Sequence, residues 1–302
     1  MIEQVRTASC RAGGYSQRHL GRRGVEFRRC FAPVLTVTSL LVPAQAHAQL
    51  RYDRFERRPV GLELRGTATV VDRVLCLTPA SGRAVGLAYY ADKQKLSLGF
   101  TTEFRFRMTI RASTAWKDAG ADGIAFIIQS EGIPKEAPTG GDLGYDGLPK
   151  SVAFEFDTWL NPAGEGGRKL PDPDHNHISV HTAGVQPNDA DEAFSIARNS
   201  EIPELSDGNP HVVRITYVPG AFTLYFDGRH CLSAPLDLEN TNGGSVLDEE
   251  GRAWLGFAAT TGAHYEEHSI LSWSLRVPQA DGEGAEARET DSLGAGPDGT
   301  LR

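Results

Sequence analysis

Residues 151–181 (SVAFEFDTWLNPAGEGGRKLPDPDHNHISVH) gather the side chains best suited to chemistry. Glu155 and Asp157 stand two apart in a stretch of β period, so they share one face while Phe156 points to the other. Asn161, Asp172 and His177 follow. Three acids, one amide and one imidazole suit divalent cations held at the end of a sheet: oxygen donors fit Ca²⁺, and a neutral imidazole fits a first-row metal such as Mn²⁺ beside it. Adjacent carboxylates repel each other, which a cation relieves. Taken singly, each residue has a plainer reading. The Glu155/Asp157 pair also fits a solvated strand face, and His177 a hydrogen-bonded strand histidine. The run Asp172-Pro173-Asp174-His175-Asn176 resembles the opening of a helix–loop–helix calcium loop. It departs from one at His177, where glycine is required, and at Ala183, where a bidentate Glu is required.

The elements that would position these residues are strands. Phe104, Phe106, Met108 and Ile110 alternate with Arg105, Arg107, Thr109 and Arg111. Val213, Ile215 and Tyr217 continue through a Pro219-Gly220 turn to Phe222, Leu224 and Phe226, a hairpin pattern. Leu271, Trp273 and Leu275 alternate with serines and Arg276, which predicts all three inside. GIAFII (123–128) and SVAFEF (151–156) are apolar on both faces, as interior strands are. No helical period persists for three turns. Gly/Pro-rich loops at 131–149, 162–173 and 239–251 are long enough to carry function. The pattern predicts an all-β fold, a two-sheet antiparallel sandwich with long loops.

The first 48 residues read as an export signal. A basic stretch with Arg22, Arg23, Arg28 and Arg29 precedes an apolar run at 31–42, and Ala46-His47-Ala48 offers a small-x-small cleavage site. The apolar run is too short to span a membrane. Arg22-Arg23 leaves twin-arginine export open beside the general route. The expected localisation is secreted or periplasmic. Those 48 residues carry seven Arg against two acids, so a chain of net charge −8 becomes −13 without them. That acidity argues against nucleic-acid or anionic-membrane partners. Cys76 and Cys231 remain, and exported proteins permit a disulfide between such a pair; two free thiols are the alternative. Residues 278–302 lack apolar period and read as a disordered acidic tail.

ADGIAF (121–126), GGDLG (140–144), EFDTWLN (155–161), DPDHNH (172–177), GFAATTG (256–262) and ILSWSL (270–275) occur in the order found in legume-type (L-type) lectins. The chain resembles that family over roughly residues 54–277. The resemblance implies a jelly-roll β-sandwich of the concanavalin A-like type, with paired metal sites under a shallow sugar pocket. It implies a transition metal (Mn²⁺ or another) on Glu155, Asp157, Asp172 and His177, and Ca²⁺ on Asp157, the Trp159 carbonyl, Asn161 and Asp172. For the sugar it implies Asp122 as acceptor after a cis Ala121–Asp122 peptide, the Gly141 N–H and Asn161 amide as donors, and Trp159 as an aromatic wall. Thr261, Gly262, Ala263, His264 and Tyr265 would form the loop that tunes sugar choice. By the residues alone, Asp122 is equally a turn residue and Trp159 a packing residue.

These readings point to a secreted, non-catalytic lectin with glycan partners and a mature domain at 49–277. A homo-oligomer would supply multivalency. A glycoside hydrolase on the same sandwich is the rival. It needs two carboxyls about 5–5.5 Å apart when retaining, and related glucanases place them on one strand. Here no second Glu follows Asp157 on the strand. An adhesion module with a vestigial pocket is a third reading. No G-x-S-x-G nucleophile elbow is present, which leaves serine hydrolysis without support.

Overall fold

The computed structural model describes residues 48–110 and 120–278. The expected export signal before Ala48 and the tail from residue 279 lie outside the described residues. Sixteen strands are described: β1 Ala48–Tyr52, β2 Leu62–Gly66, β3 Thr69–Val71, β4 Val74–Thr78, β5 Val85–Tyr90, β6 Gln94–Lys95, β7 Phe100–Thr109, β8 Gly123–Gln129, β9 Ser151–Asp157, β10 His177–Gly184, β11 Ser195–Asn199, β12 His211–Val218, β13 Gly220–Phe226, β14 Arg229–Leu236, β15 Arg252–Thr260 and β16 Glu267–Arg276. They form two antiparallel sheets. One runs β14-β13-β12-β7-β16-β4-β3, with β1 also on β16. The other runs β11-β10-β9-β8-β15-β5-β2, with β6 also on β15.

Alternation in the sequence becomes packing between the sheets. β7 and β12 bury every second side chain, and Pro219-Gly220 turns β12 into β13 with Val218 opposite Ala221. Phe104 of β7 meets Phe257 of β15 edge-on at 5.0 Å, and Phe257 meets Trp273 of β16 at 5.0 Å. Offset and edge-to-face aromatic pairs of this kind are favourable beyond the area they bury. The apolar rings fix how the sheets stack, and so where the strand ends lie.

β8 and β9 are buried on both faces, as their composition predicts. Ile124, Phe126, Ile128, Val152, Phe154 and Phe156 enter the main core. On the opposite face Ala125, Ile127 and Ala153 join a smaller cluster with Leu87, Leu143 and Tyr145, built from the loops that cover this sheet. Glu155 and Asp157 share that second face, under the loops.

Two expectations change. Leu271 is half-buried while Ile270 is fully buried, because the β7–β16 register shifts between Ile270 and Ser272. A bulge inserts one extra residue and reverses the alternation there. Cys76 lies on β4 and Cys231 on β14, with β16, β7, β12 and β13 between them. Neighbouring strands are about 4.8 Å apart, so the pair is far beyond the roughly 4.4–6.8 Å Cα separation of a disulfide. They do not form a bridge.

Candidate functional site

The site lies where β8, β9 and β10 end. Antiparallel pairing sets His177 opposite Asp157, Ser179 opposite Glu155 and Gly123 opposite Asp157. Two-residue periodicity then puts Glu155, Asp157, His177, Ser179 and His181 on one face.

The loop after β9 returns Asp172 to Asn161. The Asn161 N–H donates to Asp172 Oδ2 at 2.6 Å, and the Asp172 N–H donates to the Asn161 carbonyl at 3.1 Å. The Trp159 N–H donates to Asp157 Oδ1 at 2.7 Å. Residues 162–171 are pinned from outside: Asp191 accepts from the backbone N–H groups of Lys169 and Leu170 while capping the 3-10 turn Glu192–Phe194. The Gly-rich loop therefore closes on the site. It also delivers Arg168, whose guanidinium is buried 3.9 Å from Asp172 Oδ1 and donates to the carbonyls of Ala190 and Gly141.

The acids divide into two environments. Burial pushes the Glu155 carboxyl up, but the His181 charge and hydrogen bonds from His181, Ser179 and Tyr145 leave it below its ordinary value. Asp157 goes well above the usual range, because burial and the Asp172 and Glu155 charges outweigh His177. Asp172 is raised to about 6, mainly by burial. Burial lowers the two histidines, but the surrounding carboxylates outweigh it and raise His177 to about 9 and His181 to about 10.

The predicted pocket residues converge beside this cluster. The Ala121–Asp122 peptide is cis. The Asp122 N–H donates to the Thr260 carbonyl at 3.0 Å, and its carbonyl accepts from the Thr158 N–H at 2.9 Å. Burial and the charges of Asp142 and Glu266 raise the Asp122 carboxyl to about 7. Gly262 is packed against it: a Cβ there would lie 3.2 Å from Asp122 Oδ2. At Gly141 a Cβ would stand 2.3 Å from Asn161 Oδ1, so only glycine lets this backbone reach the amide. Trp159 is half-buried and stacks on His264 at 4.3 Å, so one face of the indole is covered. Ala263 is exposed on the same loop as Gly262.

The donor chemistry fits cations. Asn161 Oδ1, Asp122 Oδ2, His177 Nε2 and Glu192 Oε1 are buried without a hydrogen-bond partner. Buried polar atoms are normally paired, so the orphaned Asn161 and Asp122 oxygens call for an electropositive or donating partner, while His177 Nε2 and Glu192 Oε1 face each other at 3.5 Å, an opening a cation could take. Glu155, Asp157, Asp172 and His177, with Asn161 and the Trp159 carbonyl, could hold two ions there. The tightest grouping of donors among the described residues is Glu155, His177 and Glu192, with atoms within 4.8 Å of one another. Asp157 and Asp172 stand outside that group.

Sequence reasoning missed Glu192, His181, Arg168 and Glu266. Glu266 is fully buried and accepts from the hydroxyls of Thr158 and Ser206 beneath Asp122. His181 had a readable signal, since it follows His177 at an even strand spacing. Glu192 sits in the acidic run DADE, and Arg168 in a loop without period; neither carries a pattern.

The fold and the arrangement at its sheet end define a lectin-type domain. A family model described as the legume lectin beta-barrel domain matches residues 58–272. The chain belongs to the legume lectin family. Among curated relatives, a lectin of Pisum sativum is 27% identical, over 83% of this chain and 91% of that protein. A putative L-type lectin-domain containing receptor kinase I.10 of Arabidopsis thaliana is 28% identical over 77% of this chain, which spans only 38% of the kinase's length. Among solved structures, winged bean acidic lectin complexed with methyl-alpha-D-galactose superposes with a TM-score of 0.59 at 26% identity. That match covers 76% of this chain and 98% of the other.

Proposed function

We propose that this chain is a secreted, non-catalytic carbohydrate-binding protein whose pocket is preorganised by Ca²⁺ and a transition metal such as Mn²⁺. The observation that carries the reading is the convergence of Asp122, Gly141 and Asn161. A buried carboxylate oxygen and a buried amide oxygen there lack partners, and the approach of Gly141 to the amide excludes any side chain. In this reading Asp122 accepts hydrogen bonds from two sugar hydroxyls. The Gly141 N–H and the Asn161 amide donate to them, while Asn161 Oδ1 faces calcium. Trp159 offers its uncovered face to the sugar's C–H surface. Gly262 and Ala263 border the opening and bear on which sugar fits. When bound, the cations supply fixed positive charge that holds Asp157, Asp172 and Asn161 in place. The pea and winged bean relatives, named as lectins, support a glycan as ligand.

The non-catalytic reading is supported by how the buried acids among the described residues are engaged. Glu155 and Glu192 are buried and engaged with Tyr145, Ser179, His181 and Arg198. The export reading rests on the basic and apolar pattern before Ala48. N-terminal sequencing of exported protein should begin at Gln49.

A glycan array with and without Ca²⁺ and Mn²⁺ tests the main reading. Binding should require the cations and vanish in Asp122→Ala and Asn161→Ala. Binding that survives both substitutions would put the contact elsewhere on the sandwich. Release of reducing sugar that is lost in Glu155→Gln would restore the hydrolase.

A further inference from the structure

The transition-metal position implied by the family uses Glu155, Asp157, Asp172 and His177, and two further side chains, Glu192 and His181, approach the first and last of these ligands. We propose that Glu192 is an additional protein ligand of that metal and His181 a second imidazole on it. The site would then favour a nitrogen-preferring dication such as Co²⁺, Ni²⁺ or Zn²⁺ over Mn²⁺. This rests on the metal-supported reading above.

Distances carry the inference. Glu192 Oε1 lies 3.5 Å from His177 Nε2 and 3.5 Å from His181 Nε2, and His181 Nε2 lies 3.0 Å from Glu155 Oε2. Donors bound at about 2.1 Å to a common ion stand about 3.0–4.2 Å apart. A separation of 3.5 Å is long for a hydrogen bond, and both Glu192 Oε1 and His177 Nε2 are buried without one. Glu155, His177 and Glu192 are 2%, 0% and 3% exposed. With both rings protonated, Glu192 Oε1 is paired with two imidazolium nitrogens at 3.5 Å; a cation that displaces those protons would sit among the same three donors.

The surroundings are those of ligands. His177 Nδ1 is 3.1 Å from the Asp174 carbonyl and His181 Nδ1 is 3.1 Å from the Asp189 carbonyl. Each ring donates its Nδ1–H outward, the arrangement that fixes a ligand histidine's tautomer; His177 Nε2 is without a hydrogen bond, while His181 Nε2 meets Ser179 Oγ at 2.8 Å and Glu155 Oε2 at 3.0 Å, contacts that a metal would replace. Arg198 holds the other Glu192 oxygen at 2.9 Å, and Asp191 caps the turn that presents Glu192. Tyr145 donates to Glu155 Oε1 and Ser179 to Glu155 Oε2, which fixes that carboxylate from both sides. Two imidazoles among carboxylates move the donor set from oxygen toward nitrogen, which suits Co²⁺, Ni²⁺ and Zn²⁺ better than Mn²⁺.

The full chain, stripped with chelator, is titrated with Ca²⁺ and then with Mn²⁺, Co²⁺ and Zn²⁺ by calorimetry, with bound metal counted by mass spectrometry. Displacement of Mn²⁺ by Zn²⁺ or Co²⁺ is general for such donor sets, so the variants carry the test. Glu192→Gln should weaken transition-metal binding about 10- to 100-fold and leave the Ca²⁺ affinity unchanged, and His181→Asn should narrow the preference over Mn²⁺. Electron spin echo measurements on the Cu²⁺-loaded wild-type chain need no variant and should count two imidazoles. One imidazole, together with unaltered affinity in Glu192→Gln, overturns the proposal while a Glu155→Gln loss keeps the family site. A wild-type chain that binds no transition metal overturns both.

Discussion

Two ends of one carboxylate cluster behave differently. At the β10 end, Glu155 lies among His181, Ser179 and Tyr145 and its carboxyl is held below the ordinary range. At the loop end, Asp157 and Asp172 are buried beside each other and both are raised. Arg168 stands 3.9 Å from Asp172 but spends its donors on the Ala190 and Gly141 carbonyls. The first end balances its charge with the chain's own groups. The second carries more negative charge than its neighbours offset, and is the end a cation would relieve in the function proposed above. Asn161 joins this second end to Gly141, so in the proposed function ligand binding is tied to calcium.

Cation removal should break this comparison with the largest effect. A ligand present at about 100 times its Kd stabilises a fold by about 2.7 kcal/mol per site, so stripping two sites should cost about 5 kcal/mol and abolish glycan binding. Calcium alone should restore most of the binding, because the loop end is the one short of charge. Thermal unfolding and array binding after stepwise re-addition provide the check. Recovery by the transition metal alone would reverse the roles of the two ends.

Asp122 gives the next effect, in the cation-free protein. Its carboxyl titrates near 7 when folded and near 3.9 when unfolded. Between those values the folded state keeps a proton that the unfolded state has lost, so stability falls as pH rises from about 4 to about 7. Above pH 7 the full penalty, at most about 4 kcal/mol, is present. Asp122→Asn should therefore raise the Tm of the stripped protein at pH 8 and change it little at pH 4, while eliminating sugar binding. An equal shift at both pH values would mean that Asp122 titrates normally.

Much of this was legible in the sequence, for physical reasons. β8 and β9 carry apolar residues on both faces, and β12 and β13 alternate around Pro219-Gly220, so local pattern and tertiary burial agree. Leu271 misled because a bulge is a property of strand pairing that period two cannot encode. At the site, Glu155 and Asp157 were visible as neighbours on one face, and His177 as a further ligand-type side chain. Glu192 and Arg168 were not, because an acid in DADE and an Arg after two glycines resemble solvated loop until the chain folds them inward. Long-range closure, here by Asp191 on Lys169 and Leu170, leaves no local pattern.

Gly141→Ala sharpens the link between the loop end and the pocket. The new methyl would stand 2.3 Å from Asn161 Oδ1, and the amide must yield. Overpacking of this size costs about 1–3 kcal/mol. Since Gly141 is half-buried on a surface turn, most of that should appear as weaker sugar and calcium binding, about 10- to 100-fold, with little change in the Tm of the stripped protein. Affinity measurements beside thermal unfolding separate the two. A variant that binds both normally would remove Asn161 from the pocket.

His264 should produce the smallest change. Its ring stacks on Trp159 at 4.3 Å with an interplanar angle of 22°, at the rim where the pocket meets solvent. Aromatic pairs of this kind are worth about 0.5–1.5 kcal/mol. The stack holds the indole plane against the pocket, so His264→Ala should loosen it and weaken sugar binding by less than about tenfold. Cation affinity should be unaffected, because the Trp159 N–H to Asp157 contact belongs to the backbone. A rise in affinity would show that His264 occupies the face the sugar needs, making it a competitor for Trp159 rather than its support. Titrating His264→Ala and wild type against one array-identified sugar distinguishes these outcomes, and the sign of the change decides which face of the indole the sugar meets.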